Sequence, residues 1–191
     1  VERVRLGDGT TIDTDLVVVG IGVVPRTDLA DDCGLDVDNG ILADATLASS
    51  DPRIFTAGDV ANAHHPHYGR HLRVEHWATA LHQGPTAARN MLGAGQIYDR
   101  LPYFFSDQYD LGMEYVGHAP AYDEVVLRGD VGAREFIAFW LTDGAVTAAM
   151  NVNVWDVVDD LERVIRSRAR VDTALLRDPE TPLDELLGSP A

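Results

Sequence analysis

Ile54-Phe55-Thr56-Ala57-Gly58-Asp59-Val60 joins a short apolar run to a Gly-Asp pair. Gly58 has no Cβ, so its backbone can lie against a ligand. Asp59 offers a carboxylate that accepts hydrogen bonds from ligand hydroxyls. Ile54 to Ala57 reads as a buried strand, which puts Asp59 at its carboxyl end, where open α/β sheets hold their ligands. The alternative is a plain turn with Asp59 as a helix cap. A second constellation, Glu75-His76-Trp77, stands at the head of a helical pattern. Helix N-termini carry free N–H groups and partial positive charge, which suit an anionic ring, and Trp77 adds a flat apolar surface. An N-terminal acid with a core Trp is the competing reading. Gly20-Ile21-Gly22 would let backbone approach a nucleotide, but it lacks the third glycine of a dinucleotide fingerprint and reads equally as a tight βα turn. Tyr103-Phe104-Phe105-Ser106-Asp107-Gln108 is aromatic-rich at a change of composition, and reads as an interdomain core or a ligand wall. His64, His65, His67 and His71 crowd what reads as one solvated loop; their spacing fits no common metal template and no Cys is near, so no metal is assigned.

The elements that must position these groups follow from periodicity. Val1 to Leu6 and Thr10 to Asp13 alternate around Gly7-Asp8-Gly9, a hairpin pattern. Leu16-Val17-Val18-Val19 is a continuous apolar run, expected as a strand buried on both faces of a parallel sheet. Only a hairpin precedes it, so the chain is expected to begin in the middle of a fold. Gly40 to Asp44 reads as a short strand between turns. Glu75 to Leu92 carries apolar residues on a 3.6 period, is stopped by Gly93, and contains Pro85, which should kink it or remove one hydrogen bond. From Pro102 the pattern changes. Tyr109 to Gly117, Glu124 to Arg128, Glu135 to Leu141 and Ala145 to Val154 read as strands, with an Asp143-Gly144 hairpin turn between the last two. Trp155 to Ser167 reads as a helix burying Val157, Val158, Leu161, Val164 and Ile165. A short helix at Thr173 to Arg177 and a proline-containing tail follow.

The chain has 191 residues, 46% hydrophobic and 24% charged, which supports one or two domains with real cores. A formal charge of −16 disfavours nucleic acid and anionic membrane as partners. All 15 basic residues are Arg. No apolar run approaches the roughly 20 residues that span a bilayer. Cys33 is the single cysteine, so no intramolecular disulfide forms and a cytoplasmic setting is expected.

Leu16 to Gly22, Ile54 to Val60, Val74 to Gly84, Phe104 to Gln108 and Asn151 to Val158, in that order, resemble successive blocks of the FAD-dependent NAD(P)H reductases for ferredoxin and rubredoxin, including the reductase components of bacterial oxygenase systems. The resemblance covers nearly the whole chain and matches the carboxyl-terminal half of such proteins. It implies an α/β remnant of FAD- and NAD(P)-binding domains followed by an α+β domain of antiparallel sheet plus helices. The implied division is 1–32 for the end of the NAD-binding domain, 33–100 for the carboxyl-terminal part of the FAD-binding domain, and 101–191 for the reductase or interface domain. It implies FAD and NAD(P)H as cofactors, with Gly58, Asp59 and Val60 at the ribityl-diphosphate, Trp77, His76 and Phe105 near the flavin ring, and Glu75 and His76 beside the nicotinamide pocket. Trp77 and Glu75 are the residues it puts closest to the chemistry, and Gly20, Ile21 and Gly22 match the segment that contacts NAD. The implied partner is a ferredoxin- or rubredoxin-type acceptor, with a homodimer possible. The alternative is a non-catalytic interaction or dimerisation module retaining relic flavin residues. Neither glycine-rich fingerprint is present, so this chain alone is not expected to complete an FAD or NAD site. Because the chain is acidic, acceptor docking is expected at a local basic patch, with Arg70 and Arg73 favoured over the Arg163 to Arg170 cluster.

Overall fold

The computed structural model describes residues 1–187, so residues 188–191 of the expected tail lie outside it. The first 13 residues form the expected hairpin, β1 (Arg3–Arg5) against β2 (Thr11–Asp13). The next run departs from expectation. From Leu16 to Thr27 there is no strand, and no backbone N–H between Leu16 and Arg26 meets a backbone acceptor among the described residues. Val18 is 88% exposed and Ile21 90%. A buried parallel strand is stabilised by neighbours on both sides, and no other described strand lies alongside this one. A short helix α1 (Asp28–Asp32) follows.

The middle of the chain forms a three-stranded sheet. β3 (Ile41–Ala43) runs parallel to β4 (Ala61–His65), which pairs antiparallel with β5 (Arg70–Arg73). Sequence periodicity left β4 and β5 as a histidine loop. Arg70-His71-Leu72-Arg73 has almost no apolar face, so its strand character comes from pairing with β4 rather than from propensity. Ile54 to Ala57 is extended but forms no sheet strand. It bridges antiparallel to residues 47–49 through Ser49 N–H to Ile54 O and Thr56 N–H to Leu47 O, at 2.9 and 3.0 Å, and Ile54 stays 38% exposed. Helix α2 (Trp77–Met91) runs unbroken through Pro85 and buries Thr79, Gln83, Thr86, Ala87 and Asn90.

The carboxyl-terminal part is a five-stranded antiparallel sheet of β6 (Tyr103–Gln108), β7 (Leu111–Gly117), β8 (Glu124–Asp130), β9 (Glu135–Thr142) and β10 (Ala145–Val152), ordered β6-β7-β10-β9-β8. Asp143 and Gly144, at φ 52° and 78°, make the tight β9–β10 turn, which needs positive φ at both positions. One face of the sheet packs Val116, Val126, Ile137, Phe139, Leu141 and Ala149 against Leu161, Val164 and Ile165 of α3 (Val158–Ser167). Helix α3 starts three residues later than expected, leaving Trp155 outside it and 54% exposed. Helix α4 (Thr173–Arg177) lies against β8, capped by the Asp172 carboxylate, which accepts the Ala174 N–H. Arg128 of β8 donates to the Leu175, Pro179 and Thr181 carbonyls and so fastens the α4 region to the sheet.

Candidate functional site

The amino end of α2 meets the first strand of the five-stranded sheet, and four of the candidate residues gather there. Glu75, His76, Trp77 and Phe105 line one cleft of about 260 Å³ with Ala78, Tyr103 and Phe104. Trp77 is 70% exposed and Phe105 53%. Trp77 and Tyr103 also line a second cavity of about 230 Å³ beneath α2, shared with His82, Arg100, Asp159 and Glu162. The exposed Trp77 ring excludes the core-Trp reading.

His76 is the N-cap of α2, in extended backbone, with no side-chain cap. The first backward helical bond is Ala80 N–H to His76 O at 3.2 Å, so the Trp77, Ala78 and Thr79 N–H groups face the cleft end without helical acceptors. The His76 ring packs on Phe104 at 4.7 Å, Phe104 stacks on Tyr115 at 5.1 Å, and Tyr115 meets Trp140 at 5.4 Å. This column of rings supports His76 from within the sheet. Burial lowers the His76 pKa, against the opposing pull of Asp59 and Glu75, and the buried Nδ1 has no hydrogen-bond partner.

Gly58, Asp59 and Val60 form a single 3-10 turn between the extended segment and β4. Gly58 has φ +78°, and its N–H donates to Gln83 Oε1 of α2 at 2.7 Å. A Cβ there would lie 3.4 Å from the Ala80 Cβ. That is ordinary contact distance, so it is the positive φ of the turn that favours glycine there. The Asp59 carboxylate makes no hydrogen bond among the described residues, and Asp59 caps no helix; its backbone carbonyl accepts Arg73 Nη1 at 3.1 Å. Arg73 also pairs with Glu75 and its side chain is only 13% exposed. Of the expected docking pair, Arg73 is therefore a buried clamp between the Gly-Asp turn and Glu75 rather than a free surface cation. Arg163 and Arg166 pair with Asp160 and Glu162 on their own helix.

Gly20, Ile21 and Gly22 are not brought to this cleft. A Cβ on either glycine would meet no atom within 4 Å. The histidine-rich stretch is the β4–β5 hairpin, with the His64 and His71 rings edge to face at 5.7 Å. Among the described residues no group of three or more His, Cys, Asp or Glu side chains is arranged to hold a metal ion. Sequence reasoning missed Gln83, gave Arg73 a docking role instead of its clamp, and placed Phe104 only within an aromatic string. Gln83 had a readable signal: a polar residue inside the apolar stripe of a helix requires a buried partner.

Two families match the chain. Residues 1–84 match the pyridine nucleotide-disulphide oxidoreductases, and residues 103–187 match the reductase C-terminal domain. The chain belongs to the pyridine nucleotide-disulphide oxidoreductases that carry a reductase C-terminal domain. It is 40% identical to the ferredoxin–NAD(+) reductase component of the anthranilate 1,2-dioxygenase system of Burkholderia cepacia, over 97% of this chain and 48% of that protein. It is 35% identical to putidaredoxin reductase of Pseudomonas putida, over 99% of this chain and 45% of that one. Among solved structures, the covalent putidaredoxin reductase–putidaredoxin complex superposes with a TM-score of 0.88, at 35% identity, over 98% of this chain and 45% of that chain. The chain thus spans about half the length of the relatives it matches. The α/β part followed by an antiparallel α+β domain, expected for this family, is the architecture found.

Proposed function

We propose that this chain is the carboxyl-terminal portion of a flavoprotein that takes electrons from NAD(P)H through FAD to a ferredoxin- or rubredoxin-type carrier. The observation that carries the reading is the convergence at the α2 N-terminus. Unbonded N–H groups, the orphaned His76 Nδ1 and two exposed aromatic rings border one cleft, and the turn that carries the Asp59 carboxylate packs against the same helix. Buried polar atoms without partners are uncommon in native folds and mark places where a ligand completes the bonding. These residues fit FAD. When bound, the flavin supplies the hydride acceptor and the one-electron steps.

The residues of this chain bind, orient and tune. Asp59 accepts hydrogen bonds from ribityl hydroxyls, and Gly58 and Val60 shape the turn beside them. The α2 N–H groups stabilise negative charge at the ring edge. Trp77 and Phe105 give flat walls, and His76 donates or accepts through Nδ1. Arg73 holds Glu75 beside the nicotinamide pocket, and Gly20 to Gly22 contribute to the NAD(P)H side. The division into 1–32, 33–100 and 101–191, the cytoplasmic setting and a possible homodimer belong to the same proposal. No described helix is long and apolar enough to cross a membrane. The names of the relatives give the dimerisation-module alternative no support.

The test uses the whole flavoprotein of which this chain is the carboxyl-terminal portion, stripped of its flavin. Asp59→Ala removes a charged hydrogen-bond acceptor, so FAD affinity should fall by about one to two decades, from a loss of roughly 1.5–3 kcal/mol. Fluorescence titration of the apoprotein with FAD reads this directly. Unchanged affinity would remove Asp59 from the cofactor site.

A further inference from the structure

Another cavity stands apart from the flavin cleft, where the tip of the β4–β5 hairpin meets the carboxyl-terminal sheet. Its volume is about 350 Å³, and it is walled by Pro66, His67 and Tyr68 of the tip, Val146 of β10, and Ile165 and Arg168 at the end of α3. That volume suits a small-molecule site, and the mostly apolar wall with a few polar groups suits one too. None of its residues lines the flavin cleft. Val146 lies five residues before Asn151 in β10, and Asn151 is in register with Glu114 and through it with Phe105. The two sites are therefore more than about 10 Å apart.

Helices that close in left-handed backbone usually place glycine there. Helix α3 closes on Arg168, at φ 53°. Left-handed backbone costs free energy at a residue with a side chain, so this position keeps a guanidinium where glycine would be less strained. The Arg168 guanidinium makes no ion pair among the described residues, and neither do those of Arg70 and Arg170. Arg70 follows the hairpin tip, and Arg170 bridges to Ala145 at the cavity edge. Asp99 and Glu162, the acids felt at the tip, are turned to Arg166. Among the described residues no acid lines the cavity. In a chain of formal charge −16 this joint is a local positive centre.

The wall also holds a donor without an acceptor. The Tyr68 hydroxyl is buried and has no hydrogen-bond partner among the described residues. Burial raises its pKa, so the phenol keeps its proton. The ring is held by His65 and His67, each at 4.8 Å, and by His118 at 5.8 Å.

We propose that this cavity binds a small organic acid, with its carboxylate on Arg168 and the Tyr68 hydroxyl and its apolar body against Pro66, Val146 and Ile165. A guanidinium meets a carboxylate through two parallel hydrogen bonds. The occupant joins the hairpin tip, β10 and α3, and so ties the middle of the chain to the carboxyl-terminal sheet.

The test is calorimetry on the intact protein that carries this chain, with benzoate as the probe. No flavin signal is read, so the outcome is independent of the cofactor reading. Benzoate should bind saturably with Kd of about 1 mM or tighter. Benzyl alcohol, which keeps the ring and lacks the charge, should bind at least about tenfold more weakly, and so should inorganic phosphate. Arg168→Gly should weaken benzoate at least about tenfold while Tm holds or rises, because glycine accepts the backbone there. Tyr68→Phe should weaken it by about the same factor. Arg134→Gln, which removes a charge elsewhere on the surface, should leave the affinity unchanged. Absence of saturable binding would overturn the proposal. So would benzyl alcohol or phosphate matching benzoate, since the cavity would then select only for an apolar ring or only for charge. Unchanged affinity in Arg168→Gly or Tyr68→Phe, or an equal loss in Arg134→Gln, would overturn it as well. Binding by the 191-residue chain but not by the intact protein would do the same, because the rest of the protein would then fill the cavity.

Discussion

Residues 16–24 and residues 135–152 draw on the same apolar, β-branched residues and meet opposite fates. In β9 and β10, Ile137, Phe139, Leu141 and Ala149 are at most 3% exposed, and both strands have neighbours on either side. In the first run Val18, Val19 and Val23 are 88, 68 and 76% exposed, with no backbone pairing. The difference is connectivity. Antiparallel strands joined by a two-residue turn bring their own partner, whereas a parallel strand depends on partners delivered from elsewhere. A hydrophobic run states what a segment would bury, and the rest of the fold decides whether it can.

The sharpest way to break this contrast is at Leu161, which is fully buried where α3 meets the sheet. Leu161→Ala should cost about 2–5 kcal/mol, from lost burial plus the cavity left behind. Urea denaturation of the 191-residue chain measures it, and a loss below about 1 kcal/mol would mean that the packing of α3 is loose. Next comes Arg128. Replacing it with Met strands three carbonyls that it now serves, with an expected loss of roughly 1.5–3 kcal/mol. Selective early melting of the α4 region, seen by proteolysis, would accompany it.

A smaller, pH-dependent effect belongs to the β4–β5 hairpin. Burial, with Arg168 adding repulsion, takes the His67 pKa from 6.5 down to about 4. His65 and His118 are shifted downward as well, chiefly by burial. The unfolded chain therefore takes up these protons first. Their contribution is complete above about pH 6.5 and is lost as pH falls toward 4. His67→Gln should flatten that slope in urea midpoints, and an unaltered slope would assign it to other groups. The smallest effect is at Val18. In the 191-residue chain Val18→Ser should change stability by no more than about 0.5 kcal/mol. Amides 16–26 should exchange without protection, while those of β9 and β10 approach the global limit. Protection in the first run would show that it has found a partner.

The same contrast explains what could be read in advance. The β9–β10 hairpin, its Asp143-Gly144 turn and α4 rest on short-range patterns, and they appear close to where the pattern places them. β6 hid inside an aromatic string that reads equally as a junction. β5 hid because Arg70 and His71 carry no apolar signal. At the site, the resemblance picked out Glu75, His76, Trp77 and Phe105, which the fold does bring to one cleft. Gly20 to Gly22 stay apart from it. Arg73 and Phe104 act through contacts between residues distant in sequence, which a single sequence does not display.

The three tryptophans are themselves a gauge of this architecture. Trp77 and Trp155 stand in solvent on the cleft side, while Trp140 is partly buried against Tyr115 at the inner end of the ring column. Emission from the first two should lie to the red and yield readily to acrylamide. Emission from Trp140 should lie to the blue and resist it. One cuvette then reports two events separately: occupation of the outer face, through the accessible indoles, and loosening of the sheet, through the sheltered one.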